Sequence, residues 1–193
     1  MKKHTIIAMI AACAAIQCAA AVPVGERPKT PDEAFAAIVS CIDSRTSTEL
    51  IFDQGLGDVF NACLAGNVVD EDVIGSLEFA TKAAGAKLVA VIGHSGCGAV
   101  VGAIDDVKLG NLDTILNRID PAVAEAAEDH KDDTSKNANF VDACIEENVR
   151  YQVEQLTAKS AILKELADSG QIRIVGVVHD LASGKVRFLA DAN

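Results

Sequence analysis

The stretch Lys87-Leu88-Val89-Ala90-Val91-Ile92-Gly93-His94-Ser95-Gly96-Cys97-Gly98 runs an almost wholly apolar, β-branched segment straight into a glycine-rich turn bearing an imidazole and a thiol. An apolar run of this length, without period-two alternation, predicts a strand covered on both faces, as in a parallel sheet. Residues 35–41 repeat the pattern and end on a second thiol, Cys41. Open α/β sheets gather ligands beyond the carboxyl ends of their strands, so both strand ends are expected at one site.

Working outward, residues 58–62 read as another short strand after a Gly55/Gly57 turn, and residues 172–178 as a fourth buried strand. Residues 72–84 predict a helix closed by Gly85, and residues 99–105 open the next. Residues 112–130 predict a further helix that Pro121 disturbs in its middle. From Phe140 to about Leu156, the apolar residues Val141, Cys144, Ile145, Val149, Val153 and Leu156 recur at helical spacing, which gives a face built for burial. Residues 162–167 form a last helical segment ended by Gly170, and a Ser183-Gly184 turn leads into an edge strand at residues 185–189. The charged, small-residue run 129–139 reads as a solvated loop. Strands alternating with helices give one α/β domain over residues 34–190. Its central sheet is expected to be mainly parallel and flanked by helices, with a C-terminal edge strand. No internal repeat is apparent.

The first 21 residues differ from the rest. Lys2 and Lys3 precede an apolar run over residues 6–16, and Ala19-Ala20-Ala21 offers a cleavage site before Val22. The run is short for a membrane span, so the expectation is a secretory signal peptide at 1–21, a short leader at 22–33, and an exported, periplasmic protein without a transmembrane segment. Cys18 raises lipoprotein anchoring as an alternative, but Ala15-Ile16-Gln17 lacks the leading Leu and the final small residue that such a site wants. The 193-residue chain has 17 basic and 28 acidic residues and a net charge of −11, which becomes −13 once Lys2 and Lys3 leave. That balance argues against nucleic acid, whose backbone is held by Lys and Arg.

Of six cysteines, Cys13 and Cys18 lie in the signal segment. If Cys41 and Cys97 hold a metal, Cys63 and Cys144 are left, and an exported location permits their oxidation; separate buried thiols are the plainer reading. Taken singly, Cys41 fits a core thiol and His94 a turn residue. The short chelating spacing His94-x-x-Cys97, set after one strand while Cys41 ends another, favours a joint site. Two thiolates and one imidazole suit zinc, and a fourth position left to water makes such a site catalytic. Asp43 reads either as a strand-end cap or as an acceptor beside that water, and Arg45, two residues on, is placed to form a bidentate pair with it. His130 and His179 read as surface residues, with His179 structural.

Cys41-Ile42-Asp43-Ser44-Arg45 together with Gly93-His94-Ser95-Gly96-Cys97-Gly98-Ala99 resembles the paired signatures of the beta-class carbonic anhydrases. The resemblance extends through Glu49-Leu50-Ile51-Phe52, Gly57-Asp58-Val59-Phe60, Ala65-Gly66-Asn67, Gly75-Ser76-Leu77-Glu78, Asn148 and Asp180-Leu181-x-x-Gly184-x-Val186. It implies Zn2+ held by Cys41, His94 and Cys97, an Asp43/Arg45 catalytic dyad, and reversible hydration of carbon dioxide to bicarbonate and a proton by zinc-bound hydroxide. Some members close the site at low pH with this aspartate, which makes Asp43 also a candidate fourth ligand. The family is built from dimers, so a homodimer or higher oligomer is implied.

The chain departs from the family in places. Cys63 stands where an arginine is expected, removing a guanidinium fork from the anion site. Asp32 and Ala34 stand where the Gln and Pro of the preceding segment belong, and the leader is shorter than the usual helical arm. These changes keep two alternatives open, a catalytically degenerate zinc-binding protein and a zinc-stabilised structural one. The glycines Gly66, Gly96 and Gly98 are expected to let backbone approach the metal loop.

Overall fold

The computed structural model describes residues 34–189, so the signal segment, the leader and Asp32 lie outside the described residues. Five strands form one sheet in the order β2-β1-β3-β4-β5: β1 Ala36–Ser40, β2 Val59–Cys63, β3 Leu88–His94, β4 Arg173–His179 and β5 Val186–Phe188. The first four are parallel and β5 is antiparallel to β4, in agreement with the expected mainly parallel sheet and its edge strand.

The chain leaves β1 toward β2 on one side and returns to β3 on the other. The reversal falls between β1 and β3, the switch point at which an open sheet leaves a crevice at its strand ends. Val39 pairs with Val91, so two residues further along Cys41 comes level with Gly93, next to His94.

The helices are α1 Thr48–Phe52, α2 Glu71–Glu78, α3 Gly98–Ile104, α4 Leu112–Leu116, α5 Asp120–Ala127, α6 Ala138–Lys159 and α7 Ala161–Asp168. Successive strand residues serve opposite faces. Ala37, Val39, Val89 and Val91 pack against α2, α6 and α7, whereas the apolar neighbours of Ile38, Ala90, Ile92 and Val177 among the described residues are Ile51 and Phe52 of α1 and neighbouring sheet residues. That second face keeps a cavity of about 170 Å³ between Phe35, Phe52, Val59, Val175 and Phe188. Asp70 caps α2 by accepting from Val73 N at 2.9 Å and Ser160 caps α7 from Leu163 N at 3.1 Å, each worth about 1 kcal/mol.

Several expectations are corrected. Residues 112–130 form two helices, because Pro121 sits in the first turn of α5, where its missing N–H costs nothing, instead of bending one long helix. The five-residue α1 went unread. The helix expected at residues 72–84 starts at Glu71 and finishes as a π-helical turn over Phe79–Ala83. Cys63 and Cys144 are both free, but only Cys144 is buried; Cys63 is exposed at the end of β2, its Sγ 3.1 Å from Ser40 Oγ. His179 is buried, not on the surface.

Helix α6 comes close to the sheet at two glycines. A Cβ built on Gly93 would come within 2.6 Å of Val149 Cγ2, and one on Gly176 within 2.9 Å of Val149 Cγ1, so the Val149 side chain sits in a socket left by two glycines. Val149 is stiff at χ1 and fully buried, which leaves little room for adjustment. Gly93→Ala is expected to destabilise the fold by about 1–3 kcal/mol, as overpacking does. Part of that loss should return in the Gly93→Ala/Val149→Ala double variant relative to the sum of the single changes. Urea unfolding of the four proteins checks this, and strictly additive losses would contradict the socket.

Candidate metal centre

The two strand ends deliver what the sequence motif asked for. Cys41, His94 and Cys97 are 7%, 1% and 1% exposed, and their donor atoms lie within 4.8 Å of one another, the one such group of metal-ligating side chains among the described residues. The sulfurs of Cys41 and Cys97 are 4.0 Å apart. Two zinc–sulfur bonds of about 2.3 Å at a tetrahedral angle would set them about 3.8 Å apart, so the pair needs little movement to share an ion.

The imidazole is already poised. His94 Nδ1 lies 3.1 Å from the Ser95 carbonyl oxygen, which can only accept, so Nδ1 carries the proton and Nε2 keeps its lone pair. Nε2 is buried and has no hydrogen-bond partner, a costly condition that a metal ion at the two sulfurs would relieve. Burial works against protonating His94, yet the Cys41 side chain, the Ser95 carbonyl and the Asp43 charge together outweigh it and raise the pKa.

The thiols are unequal. The Cys97 side chain does most to hold the Cys41 thiol low; burial opposes it, while His94 and the Gly66 amide, 3.3 Å from the sulfur, assist. The bond to Cys41 and burial together push Cys97 up. One thiolate hydrogen-bonded by one thiol is thus favoured, and a soft divalent cation would displace the remaining proton. The residues present therefore fit zinc.

Asp43 and Arg45 stand on the loop that leaves β1. Oδ1 of Asp43 accepts from the Arg45 amide at 3.0 Å and from Nε at 2.8 Å, and Oδ2 accepts from an Arg45 terminal guanidinium nitrogen at 2.7 Å. A carboxylate offers about four acceptor sites, so one remains, on Oδ2. Thr46 ties the loop down: its buried hydroxyl lies 2.9 Å from the Cys41 carbonyl and 2.8 Å from that of Asp43.

The remaining candidates are placed as follows. Ser95 accepts from Leu181 N at 2.9 Å through its hydroxyl, so it braces the turn. Gly66 and Gly96 have φ of 67° and 65° and need glycine; Gly98 is helical with open space around it and does not. His179 pairs in register with His94, a proximity no sequence spacing indicated; burial and then the nearby His94 lower its pKa. His130 packs against Phe140 in a tilted arrangement with ring centroids 5.3 Å apart. Asn148 enters the sequence reading only as part of the resemblance, with no role, and Gln152 not at all, although they lie four apart on the helix face marked by Ile145, Val149 and Leu156.

The carbonic anhydrase family model matches residues 36–186. In overall shape the protein is similar to a beta-carbonic anhydrase of Sordaria macrospora, one of two described as tetrameric, with TM-score 0.75, 23% identity and coverage of 97% of this chain and 96% of that one. The chain belongs to the beta-carbonic anhydrase family. Among relatives of this beta-carbonic anhydrase, carbonic anhydrase 2 of Mycobacterium tuberculosis is 37% identical over 155 residues, 78% of this chain and 72% of its own. A carbonic anhydrase of Mycolicibacterium smegmatis is 34% identical over 158 residues, 79% and 73% respectively.

The Asp43 carboxyl is held well below the usual carboxylate range, first by the Arg45 side chain, against burial, and then by the Arg45 amide and the nearby His94. Because the folded value is depressed, the pair's contribution to stability is complete above about pH 4 and fades as pH falls through the folded value. Replacing the guanidinium with Arg45→Ala should return the Asp43 titration toward about 3.9, read by carboxyl-carbon NMR. An unmoved titration would show that Arg45 does not set the charge.

Proposed function

We propose that this protein hydrates carbon dioxide reversibly to bicarbonate and a proton at a zinc ion held by Cys41, His94 and Cys97. The observation that carries this reading is the buried sulfur–nitrogen–sulfur cluster with an unpartnered Nε2, formed at the switch point of a beta-carbonic anhydrase fold. Zinc, when bound there, supplies the Lewis acidity that brings the pKa of a coordinated water to about 7, so that hydroxide is available near neutrality.

The rest falls to the chain's own residues. Asp43 stays ionised and cannot donate, so its remaining acceptor site on Oδ2 takes a proton donor and orients the nucleophilic oxygen through it. Arg45 fixes that carboxylate at both oxygens and keeps it charged. In a closed form at low pH, Asp43 would serve as a fourth ligand in place of orienting that proton donor. An exposed guanidinium beside a largely covered carboxylate, with side chains 59% and 18% exposed, also leaves a cation at the mouth of the site for an anionic product.

Stopped-flow hydration of carbon dioxide near pH 8.5 by the zinc-loaded chain tests the reading. Asp43→Ala should lower kcat about 10²-fold or more while zinc stays bound, in the range typical of lost proton-handling groups. Cys41→Ala should lose tight zinc binding. No activity from the parent with one zinc per chain would favour the degenerate or structural alternatives.

The assembly proposed is a homodimer. Among the described residues, nothing pairs with the outer edge of strand β2, the α1 side of the sheet is thinly covered, and Leu50, Phe79, Phe35 and Phe188 are exposed around these features. A second copy of this chain would cover these apolar side chains together. Sedimentation at micromolar concentration should give twice the chain mass; a fully active monomer would rule the dimer out as a requirement.

A further inference from the structure

Gly66 lies between the metal site and α6. Its amide donates to Cys41 Sγ at 3.3 Å, and its carbonyl accepts from Asn148 Nδ2 at 2.9 Å. The turn it occupies, Ala65–Asn67, requires glycine: φ is 67°, and a Cβ would meet Ile119 Cδ1 at 2.6 Å. Glycine meets that demand but brings no side chain to restrain the turn, so the restraint has to come from elsewhere.

It comes from two buried amides one helical turn apart on α6. Asn148 is 0% and Gln152 1% exposed. Gln152 Nε2 donates to Asn148 Oδ1 and to the Arg118 carbonyl, each at 3.0 Å, and Gln152 Oε1 accepts from Val69 N at 2.8 Å. The Val149 socket between Gly93 and Gly176 sets the distance of α6 from the sheet right beside Asn148. Apolar side chains would bury at these positions with less desolvation, so two interlocked amides need a directional purpose. Support of the turn alone is the plainer reading; the Gly66 bond to sulfur makes a further role specific.

We propose that Asn148 and Gln152 are positioning residues of the metal centre. They clamp the Gly66 turn so that its amide stays on the Cys41 sulfur, holding the thiolate in one orientation and thereby setting how tightly zinc is retained. This rests on the zinc-site reading above.

The test measures zinc affinity by chelator competition and the thiolate-to-cobalt absorption of the cobalt-substituted protein, for the parent and for Asn148→Ala, Gln152→Met and Leu163→Ala. Leu163 is fully buried in the core cluster shared by α2, α6 and α7 and serves as the purely structural comparison. Asn148→Ala should weaken zinc binding about 10–100-fold and shift the cobalt absorption, Gln152→Met should do both to a smaller degree, and Leu163→Ala neither. If Asn148→Ala does not fold, Gln152→Met decides by the same two readouts. Affinity within about threefold of the parent with unchanged absorption, or an equal loss in Leu163→Ala, would overturn the inference while leaving the zinc site intact. A parent chain that takes up no zinc would overturn the metal-centre reading and this inference with it.

Discussion

The parallel pairing of β1 with β3 is the constraint on which the site depends. Its register brings the end of one strand level with the end of the other, and the chain reversal between them keeps that level free of crossing backbone. Cys41 and His94 then meet without help from long side chains, and the tight turn after β3 returns Cys97 to the same point as the N-cap residue of α3. A one-residue slip would send Cys41 to the opposite face of the sheet, because strand side chains alternate. The covering of β1 on both faces, with all five of its residues buried, specifies that register strongly.

Around this centre the structure separates two kinds of restraint. On the β1 side, Arg45 and Thr46 hold a charged, partly exposed loop by local bonds spanning two to five residues. On the α6 side, the bonds to Gly66 and Val69 span more than eighty residues and are shut away from water. The first kind stays within reach of salt and pH, while the second responds to how α6 is packed.

The strands and the clustering of Cys41, His94 and Cys97 were legible because both rest on short local patterns: buried parallel strands write continuous apolar runs, and His94-x-x-Cys97 is a compact turn after one of them. The Asp43/Arg45 pairing was legible for the same reason, at a separation of two residues. What escaped reading had no local signature. Helix α1 is five residues long, too short for periodicity to register. Pro121 permits either a kink or a helix start, and the backbone around it decides which. The nearness of His179 to His94 comes from the pairing of β3 with β4, strands far apart in the chain. The polar contacts of Asn148 and Gln152 depend on a partner turn that the helical pattern cannot reveal, although their placement on the buried face was visible. Cys63, expected to be buried, ends an edge strand and so is exposed.

The sequence separations in the centre have a consequence for how the protein comes into being. Cys41 and Cys97 lie 56 residues apart, and the Gly66–Asn148 bond closes an overlapping loop of 82. Closing such loops costs chain entropy before any ligand bond repays it, and contacts of long range form late. A chain that has laid down β1 and β3 but not yet docked α6 holds two thiols and an imidazole without the amide that steadies the first of them. The three metal-ligating side chains thus come together with β1 and β3, while the restraint on the first of them waits for α6.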